Sequence, residues 1–293
     1  MTNFFCKSKL AITMRIHMRK QLKPEKLEEY YKERLLKNYF SMHHQEFIPK
    51  TKKQWNYLLD RLKNDMGKYF NNLNKDSCIL DVGCGVGYLE HYLINNGFTN
   101  IYAIDISKEQ IEMAKQCLTK NKIHYEEKIK FKNENIFEHF KHEDLSYDII
   151  TLIDVLEHLK KYEALELMEI AHNALNEKGT LLIRVPNMEH PFNSSYKRYE
   201  DFTHEIGFTR SSLKQCLLAT GFTENKVKFE KNPPVTSNNT FYNNLKNTLT
   251  PSYNKVLGFI LRTSPDSFNS NIIATGIKSD IKSKKNKPPY FKI

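Results

Sequence analysis

The feature that most constrains the fold is a glycine-rich turn between a short apolar run and a helical segment. Residues 78–82 read Cys-Ile-Leu-Asp-Val, and glycines follow at positions 83, 85 and 87. Glycine lets the backbone turn tightly and approach a ligand at a helix N-terminus, where the N–H groups are unpaired. A dinucleotide-binding fingerprint would place its third glycine at Tyr88. The spacing therefore predicts a strand–loop–helix unit that binds a ligand other than a dinucleotide.

Strand-like and helix-like segments alternate along the chain on both sides of this turn. Such alternation predicts an α/β fold, in which a parallel sheet has helices on both faces. We expect glycines at 179 and 221 to end the third and fourth of the helices that follow the turn. The predicted strands are 78–83, 100–105, 128–133, 147–153, 180–185, 224–230 and 271–277. The predicted helices of this region are 87–96, 107–120, 159–176 and 210–220.

The D-x-G-x-G-x-G arrangement at 81–87 resembles motif I of the class I S-adenosylmethionine-dependent methyltransferases. The resemblance implies a Rossmann-like, seven-stranded, mostly parallel sheet that ends in an antiparallel pair. It also implies S-adenosylmethionine as the cofactor and an enzyme as the function. The carboxylate of Asp81 suits this ligand, because the sulfonium group is cationic.

Cofactor residues are expected where four strands end, since ligands bind beyond the carboxyl ends of strands in open α/β sheets. Asp105 lies 18 residues after Gly87 and can accept both ribose hydroxyls. Asn135 stands where the family usually has Asp, and its carbonyl can still accept from the adenine amino group. The resemblance implies a cofactor site of Asp81, Gly83, Cys84, Gly85, Gly87, Asp105, Ile106, Asn135, Ile136 and Asp154.

Three regions are predicted from the order of the elements. Residues 1–75 form a basic N-terminal segment followed by a helical lid, because apolar residues recur there at helical spacing. Residues 76–278 form the methyltransferase domain, with an insertion at 231–270 between the last two strands that contains a helix around 240–262. Residues 279–293 form a basic, disordered tail.

The net charge of +11 is unevenly distributed. Residues 1–75 contain 17 Lys/Arg and 7 Asp/Glu, whereas residues 76–277 contain 22 and 26. The basic ends favour an anionic acceptor, a nucleic acid or an acidic membrane surface, or they reflect compositional drift towards lysine. Five scattered cysteines, no secretory signal and no membrane-length apolar run indicate a cytoplasmic protein without a membrane span.

A second motif, Asp-Val-Leu-Glu-His at 154–158, predicts the acceptor side of the site. If a helix begins there, Asp154, Glu157 and His158 share one face. With His204 the motif resembles the metal sites of ubiquinone-pathway O-methyltransferases and small-RNA 3′-end 2′-O-methyltransferases. The resemblance implies that these four residues surround Mg²⁺, Mn²⁺ or Fe²⁺, although Asp154 is one methylene shorter than the expected Glu. Without a metal, His158 or His204 could act as a general base.

Residues 76–222 as a whole resemble methyltransferase-domain proteins of bacterial surface-polysaccharide clusters. The likeness includes P-N-x-x-x-P-F-N at 186–193 and D-F-x-H-E-x-G-F-T at 201–209. It implies O-methylation of a capsular or O-antigen sugar, a nucleotide-sugar or a phosphate-linked substituent. Two alternatives remain open: an RNA 2′-O-methyltransferase, and a non-catalytic subunit that binds the cofactor. The residues expected to contact the acceptor are His190, Asn193, Tyr196, Arg198 and Tyr199.

Overall fold

The computed structural model describes residues 23–38, 49, 51–142, 145–231, 249, 252–260, 262 and 269–279. The basic N-terminal segment, most of the predicted insertion and nearly all of the predicted tail lie outside these ranges. None of the helices in the described ranges is long and apolar enough to cross a membrane.

Within the described residues, seven strands form one sheet in the order β3-β2-β1-β4-β5-β7-β6. Strands β1 to β5 are parallel to one another, and β7 is antiparallel to both β5 and β6. The predicted fold class is therefore confirmed. The strands are β1 (Ile79–Val82), β2 (Ile101–Asp105), β3 (Ile129–Asn133), β4 (Tyr147–Ile153), β5 (Leu175–Pro186), β6 (Val227–Phe229) and β7 (Asn271–Ile277).

The helices lie around this sheet, and 3₁₀ turns at 67–69, 156–158 and 224–226 connect several of them to the strands. Residues 252–260 form a further helix, here called the insertion helix. It falls within the helix predicted around 240–262. The other helices are α1 (Pro24–Lys37), α2 (Lys52–Met66), α3 (Tyr88–Asn95), α4 (Lys108–Lys120), α5 (Ile136–His142), α6 (Lys161–Ala174), α7 (Ser194–Tyr199) and α8 (Arg210–Ala219).

The core consists of two apolar layers, one on each face of the sheet. Neighbouring residues of β1 are both fully buried but belong to different layers: Ile79 packs with α2, α3 and α4, and Leu80 packs with α6 and α8. Successive side chains of a strand point to opposite faces, so a run that is apolar at every position is what a sheet covered on both sides requires.

The structure corrects one detail of the predicted helix ends. Helix α6 ends at Ala174, and Gly179 lies within β5 instead of terminating a helix. The pairing of β4 with β5 shifts register at this point, and a Cβ on Gly179 would lie 3.0 Å from the carbonyl oxygen of Tyr147. Glycine is needed at position 179 because the two backbones approach closely. The other expected helix end is confirmed, since Gly221, with φ +109°, follows the end of α8.

The carboxyl ends of β1 to β5 meet at one edge of the sheet, here called the carboxyl edge. Helix α1 crosses this edge, because Lys32 pairs with Glu163 at the start of α6 and the Lys37 carbonyl accepts from Ser107 after β2. A further ion pair joins Glu28 to Lys160. Strand β7 begins at the same edge, since Asn271 pairs with Pro186 at the end of β5.

Candidate active site

The glycine turn after β1 adopts a backbone that only glycine accommodates well. Gly83, Gly85 and Gly87 have φ values of +72°, +55° and +84°. A Cβ on Gly83 would lie 2.7 Å from a methyl carbon of Val155, and one on Gly87 would lie 3.1 Å from the Cβ of Ala114. The turn is therefore pressed against β4 and α4, and it leads directly into the N-terminus of α3.

Two buried carboxyl groups lie beneath this turn. Asp81 accepts from the Thr151 hydroxyl, and burial raises the pKa of Asp81 to about 6. Glu90 of α3 is fully buried, and among the described residues neither of its oxygens has a hydrogen-bond donor. Burial, and then the Asp81 carboxylate, raise the pKa of Glu90 well above its usual range, which favours the neutral acid at Glu90.

Sequence reasoning missed Glu90, although a signal was present. Residues 89–94 are otherwise Leu, His, Tyr, Leu and Ile, and an acid inside such a buried stretch needs a partner. Cys84, which was expected at the cofactor, is buried in the same turn. Burial raises the pKa of its thiol well above the usual value, which disfavours a reactive thiolate at this position.

Asp105 ends β2 as predicted and lies next to the glycine turn. Its carboxylate accepts from the amides of Gly85 at 3.0 Å and Ser107 at 2.8 Å. Burial raises the pKa of Asp105 to about 6, although both amide contacts oppose that rise. Ile106 follows directly, and its carbonyl accepts from the Asn133 side chain.

Asn135 and Ile136 follow β3, as the sequence predicts. The side-chain oxygen of Asn135 accepts from the Phe137 amide at 2.9 Å and so caps the start of α5, a helix that was not predicted. Ile136 packs against the core. The carbonyl that was expected to accept from adenine therefore already holds one hydrogen bond.

Asp154 was predicted as a metal ligand, and in the structure its carboxylate pairs with Arg184. Arg184 of β5 donates Nε to Asp154 at 3.0 Å and Nη2 to the other carboxylate oxygen. Asp154 has φ +55° and precedes the 3₁₀ turn at 156–158, so no helix begins at this residue. The shared helix face that was expected for Asp154 and Glu157 is therefore absent.

Glu157, His158 and His204 do come together, as the sequence motif predicts. Among the described residues these three form a group whose ligand atoms all lie within 4.8 Å of one another. Glu157 is buried, and one of its oxygens has no hydrogen-bond donor among the described residues. A buried carboxylate oxygen beside two imidazoles fits a divalent cation, and this mixed donor set suits Mn²⁺ or Fe²⁺.

Hydrogen bonds at Nδ1 fix the tautomers of both histidines. Nδ1 of His158 lies 2.8 Å from the Thr203 hydroxyl, which itself donates to Asp201 at 2.7 Å. Nδ1 of His204 donates to the Lys197 carbonyl at 2.9 Å. Each imidazole therefore has its proton on Nδ1 and its lone pair on Nε2, the arrangement that ligating histidines show. Burial lowers the pKa of His158 to about 4, so this imidazole is neutral at physiological pH.

The predicted acceptor residues lie on the segment after β5, next to this group. Arg198 was expected to contact the acceptor, but its guanidinium donates to the carbonyls of His204 and Glu205. It therefore holds the loop that carries these two residues. Nδ1 of His190 accepts from the Asn193 amide at 3.1 Å. Tyr196 and Tyr199 are exposed, as are Phe192 and Phe202, which the sequence analysis did not select.

Solved methyltransferase structures share the fold of this chain. An S-adenosylmethionine-dependent methyltransferase from Archaeoglobus fulgidus is 19% identical with a TM-score of 0.54, and the match covers 76% of this chain and 94% of that chain. Magnesium protoporphyrin IX methyltransferase from Synechocystis PCC 6803, solved with bound SAH, is 16% identical with a TM-score of 0.54, over 85% and 100% of the two chains.

The methyltransferase domain of bacterial CtHen1-C is 16% identical with a TM-score of 0.51, over 76% of this chain and 100% of that chain. At these identities the likeness shows the fold. No curated protein matches the chain significantly. The methyltransferase-domain family matches residues 46–226. Because this match covers more than half of the sequence, the chain belongs to the methyltransferase-domain family and is an S-adenosylmethionine-dependent methyltransferase.

Proposed function

We propose that the chain is an O-methyltransferase for a glycan-related acceptor, and that Glu157, His158 and His204 hold a divalent cation. The acceptor would be a nucleotide-sugar, a capsular or O-antigen sugar, or a phosphate-linked substituent of one. The observation that carries the proposal is the buried Glu157 oxygen without a donor, beside two imidazoles of fixed tautomer. This group lies at the same carboxyl edge as the glycine turn.

The proposed site suits transfer to a hydroxyl group. Methyl transfer is an in-line displacement at a sulfonium carbon, so the placement of the nucleophile supplies much of the rate. A bound cation would act as a Lewis acid that lowers the pKa of a sugar hydroxyl. Glu157 would contribute negative charge, and the Nε2 atoms of His158 and His204 would orient the acceptor or take up its proton.

Exposed aromatic rings support a ring-shaped acceptor. Phe192, Tyr196, Tyr199 and Phe202 lie between the end of β5 and His204, and each is more than half exposed. Aromatic rings stack on the faces of sugars, and the cost of leaving four of them in water is offset when such a ligand binds. We therefore assign the acceptor subsite to this segment, in place of a phosphate contact from Arg198.

The same aromatic rings favour RNA as a second candidate acceptor. Bases stack on exposed aromatic side chains, and a 3′-terminal ribose also offers two neighbouring hydroxyls. Residues 1–24 contain six Lys/Arg and no Asp/Glu, which is suited to phosphate contacts. On the RNA hypothesis, binding would weaken steeply as the salt concentration rises.

The test is transfer of labelled methyl from S-adenosylmethionine to nucleotide-sugars, capsule fragments and short RNAs, each with and without EDTA. We expect label on a glycan-type acceptor, loss of transfer with EDTA, and recovery when one of Mg²⁺, Mn²⁺ or Fe²⁺ is restored. A cation could bind two neighbouring hydroxyls of the acceptor at once, so an acceptor without a hydroxyl beside the methylated one should be a poor substrate. Label on RNA alone would contradict the glycan proposal.

Matched histidine variants separate metal binding from general-base catalysis. His158→Ala and His204→Ala should abolish transfer, whereas His124→Ala, at an exposed position before β3, should not. If transfer is complete in EDTA but lost in His158→Ala, a histidine base and not a cation activates the acceptor. Unchanged transfer in both active-site variants would refute the proposed acceptor site.

A further inference from the structure

The insertion helix carries an apolar stripe that the rest of the molecule leaves exposed. Tyr253, Val256, Phe259 and Ile260 are between 59% and 87% exposed. At 100° per residue these four side chains cover about 120° of the helix circumference. The opposite side contains Asn254 and Gly258, which are both buried. The helix therefore buries a side with small residues and presents its large apolar residues to solvent.

This stripe lies within a segment of unusual charge. Residues 231–265 contain four Lys/Arg and no Asp/Glu, whereas residues 76–277 as a whole are slightly acidic. Two of these cations, Lys255 and Arg262, are described and exposed, and they lie beside the stripe. Exposed apolar residues beside cations, in a stretch without acidic residues, are the pattern of a helix that lies in the interface of an anionic membrane.

The segment that contains the insertion helix is joined to the sheet at the edge that holds the candidate active site. Strand β6 ends towards the carboxyl edge, where Phe229 pairs with Ala274, and β7 begins at that edge beside Pro186. The Asn187 side chain also donates to the carbonyl of Asn269 at 2.7 Å. The segment thus leaves and rejoins the sheet at the edge that holds Glu157, His158 and His204.

We propose that the insertion helix docks the enzyme on an anionic lipid bilayer, with its apolar stripe in the interface and Lys255 and Arg262 at the headgroups. A nucleic acid would use the cations but not the aliphatic side chains of Val256 and Ile260. An acidic protein partner would need a groove complementary to these particular side chains, whereas a bilayer accepts any exposed apolar helix face next to cations. Bilayer docking needs neither the proposed acceptor nor a metal.

The consequence for the substrate rests on the proposed function. Because the segment that contains this helix is anchored at the carboxyl edge at both ends, docking through the helix would hold the acceptor site near the membrane surface. The enzyme would therefore favour an acceptor carried on a lipid over one free in solution. Docking itself is tested by binding, so its failure would leave the proposed methyl transfer unaffected.

The experiment is co-sedimentation of the full chain with vesicles of phosphatidylcholine alone or of phosphatidylcholine and phosphatidylglycerol in equal parts. We expect binding to the anionic vesicles only, and weaker binding at high salt. Phe259→Ser should weaken binding about tenfold or more, and Lys255→Gln about fivefold. Both side chains are exposed, so neither change should affect folding.

Two matched variants serve as controls. Phe259→Leu keeps an apolar side chain in the stripe and should keep binding. Lys120→Gln removes an exposed cation at the C-terminal end of α4, on the opposite edge of the sheet, and should also keep it. Binding that is insensitive to Phe259→Ser, or absent from both vesicle types, would overturn the proposal. Self-association in solution that Phe259→Ser abolishes, without vesicle binding, would assign the stripe to a second copy of the chain.

Discussion

Replacement of Glu157 by glutamine tests the proposed metal site most directly. The amide has nearly the same shape as the carboxyl group but lacks its charge. Burial raises the pKa of Glu157 well above its usual range, which favours the neutral acid when no cation is bound. Glu157→Gln should therefore change the metal-free stability by less than about 1 kcal/mol.

The effect of added metal should differ sharply between the two proteins. A ligand that binds only the folded state at 100 times its Kd stabilises that state by about 2.7 kcal/mol. For a chain of this size this corresponds to a rise in Tm of about 4 °C. We expect that rise in the unmodified protein with Mn²⁺, Mg²⁺ or Fe²⁺. In Glu157→Gln most of it should disappear, because the charged ligand is lost.

Asp154→Asn is the matched control, since sequence reasoning predicted Asp154 as a fourth ligand. The structure pairs this carboxylate with Arg184 instead. The change should lower the metal-free stability by about 1–2 kcal/mol, because the pair is partly exposed, and leave the metal-induced rise in Tm intact. Differential scanning fluorimetry with EDTA-treated protein measures both quantities. A full metal response in Glu157→Gln, or its loss in Asp154→Asn alone, would refute the assignment of ligands.

Three further predictions concern the cofactor side. Gly87→Ala should lower the free energy of unfolding by about 1–3 kcal/mol in urea denaturation, because φ is +84° and the new Cβ would press on Ala114. It should also weaken cofactor binding, as measured by calorimetric titration. Burial raises the pKa of Asp105 to about 6, so cofactor affinity should fall as the pH drops through that value, and Asp105→Asn should flatten the titration curve. Trp55→Phe should cost about 1–3 kcal/mol in urea denaturation, because Nε1 of Trp55 donates at 2.6 Å to the buried Nδ1 of His91.

The linkage between pH and stability has opposite signs at two of these residues. The folded-state pKa of Asp105 is higher than in the unfolded chain, so its contribution to stability falls as the pH rises from about 4 through 6. Burial lowers the pKa of His91, so its contribution is complete above about pH 6.5 and falls as the pH drops below that value. Fluorescence of Trp55, the single tryptophan, should report protonation of His91.

The fold and the cofactor turn could be predicted because their signals are local. Buried runs such as residues 79–82 need both faces of the sheet, and positive φ values need glycine at positions 83, 85 and 87. Gly179 was wrongly predicted to end a helix because two different structural requirements both favour glycine. A helix end requires left-handed backbone, whereas the irregular pairing of β4 with β5 requires the absence of a Cβ.

Pairings across the sheet could not be predicted in this way. The partner of Asp154 is Arg184, 30 residues later and on the neighbouring strand, and nothing near Asp154 in the sequence indicates it. The role of Arg198 has the same origin, because its carbonyl acceptors belong to a loop whose path is set by tertiary contacts. Glu90 differs: its apolar neighbours indicated burial, but its coupling to Asp81 required the packing of α3 on β1.

The group formed by Glu157, His158 and His204 is held in place by contacts that do not involve its own donor atoms. The amides of Glu205 and Ile206 both donate to the carbonyl of Glu157, at 2.7 and 3.1 Å, and so join the loop that carries His204 to the turn that carries His158. Arg198 holds the same loop from its other side. Because backbone hydrogen bonds and the Nδ1 contacts of both histidines set these positions, the donor atoms are ordered without a cation, and binding of the proposed cation would not have to order them. A preformed group next to a preformed glycine turn is what an in-line transfer requires, since both reacting partners must be positioned within a few tenths of an ångström.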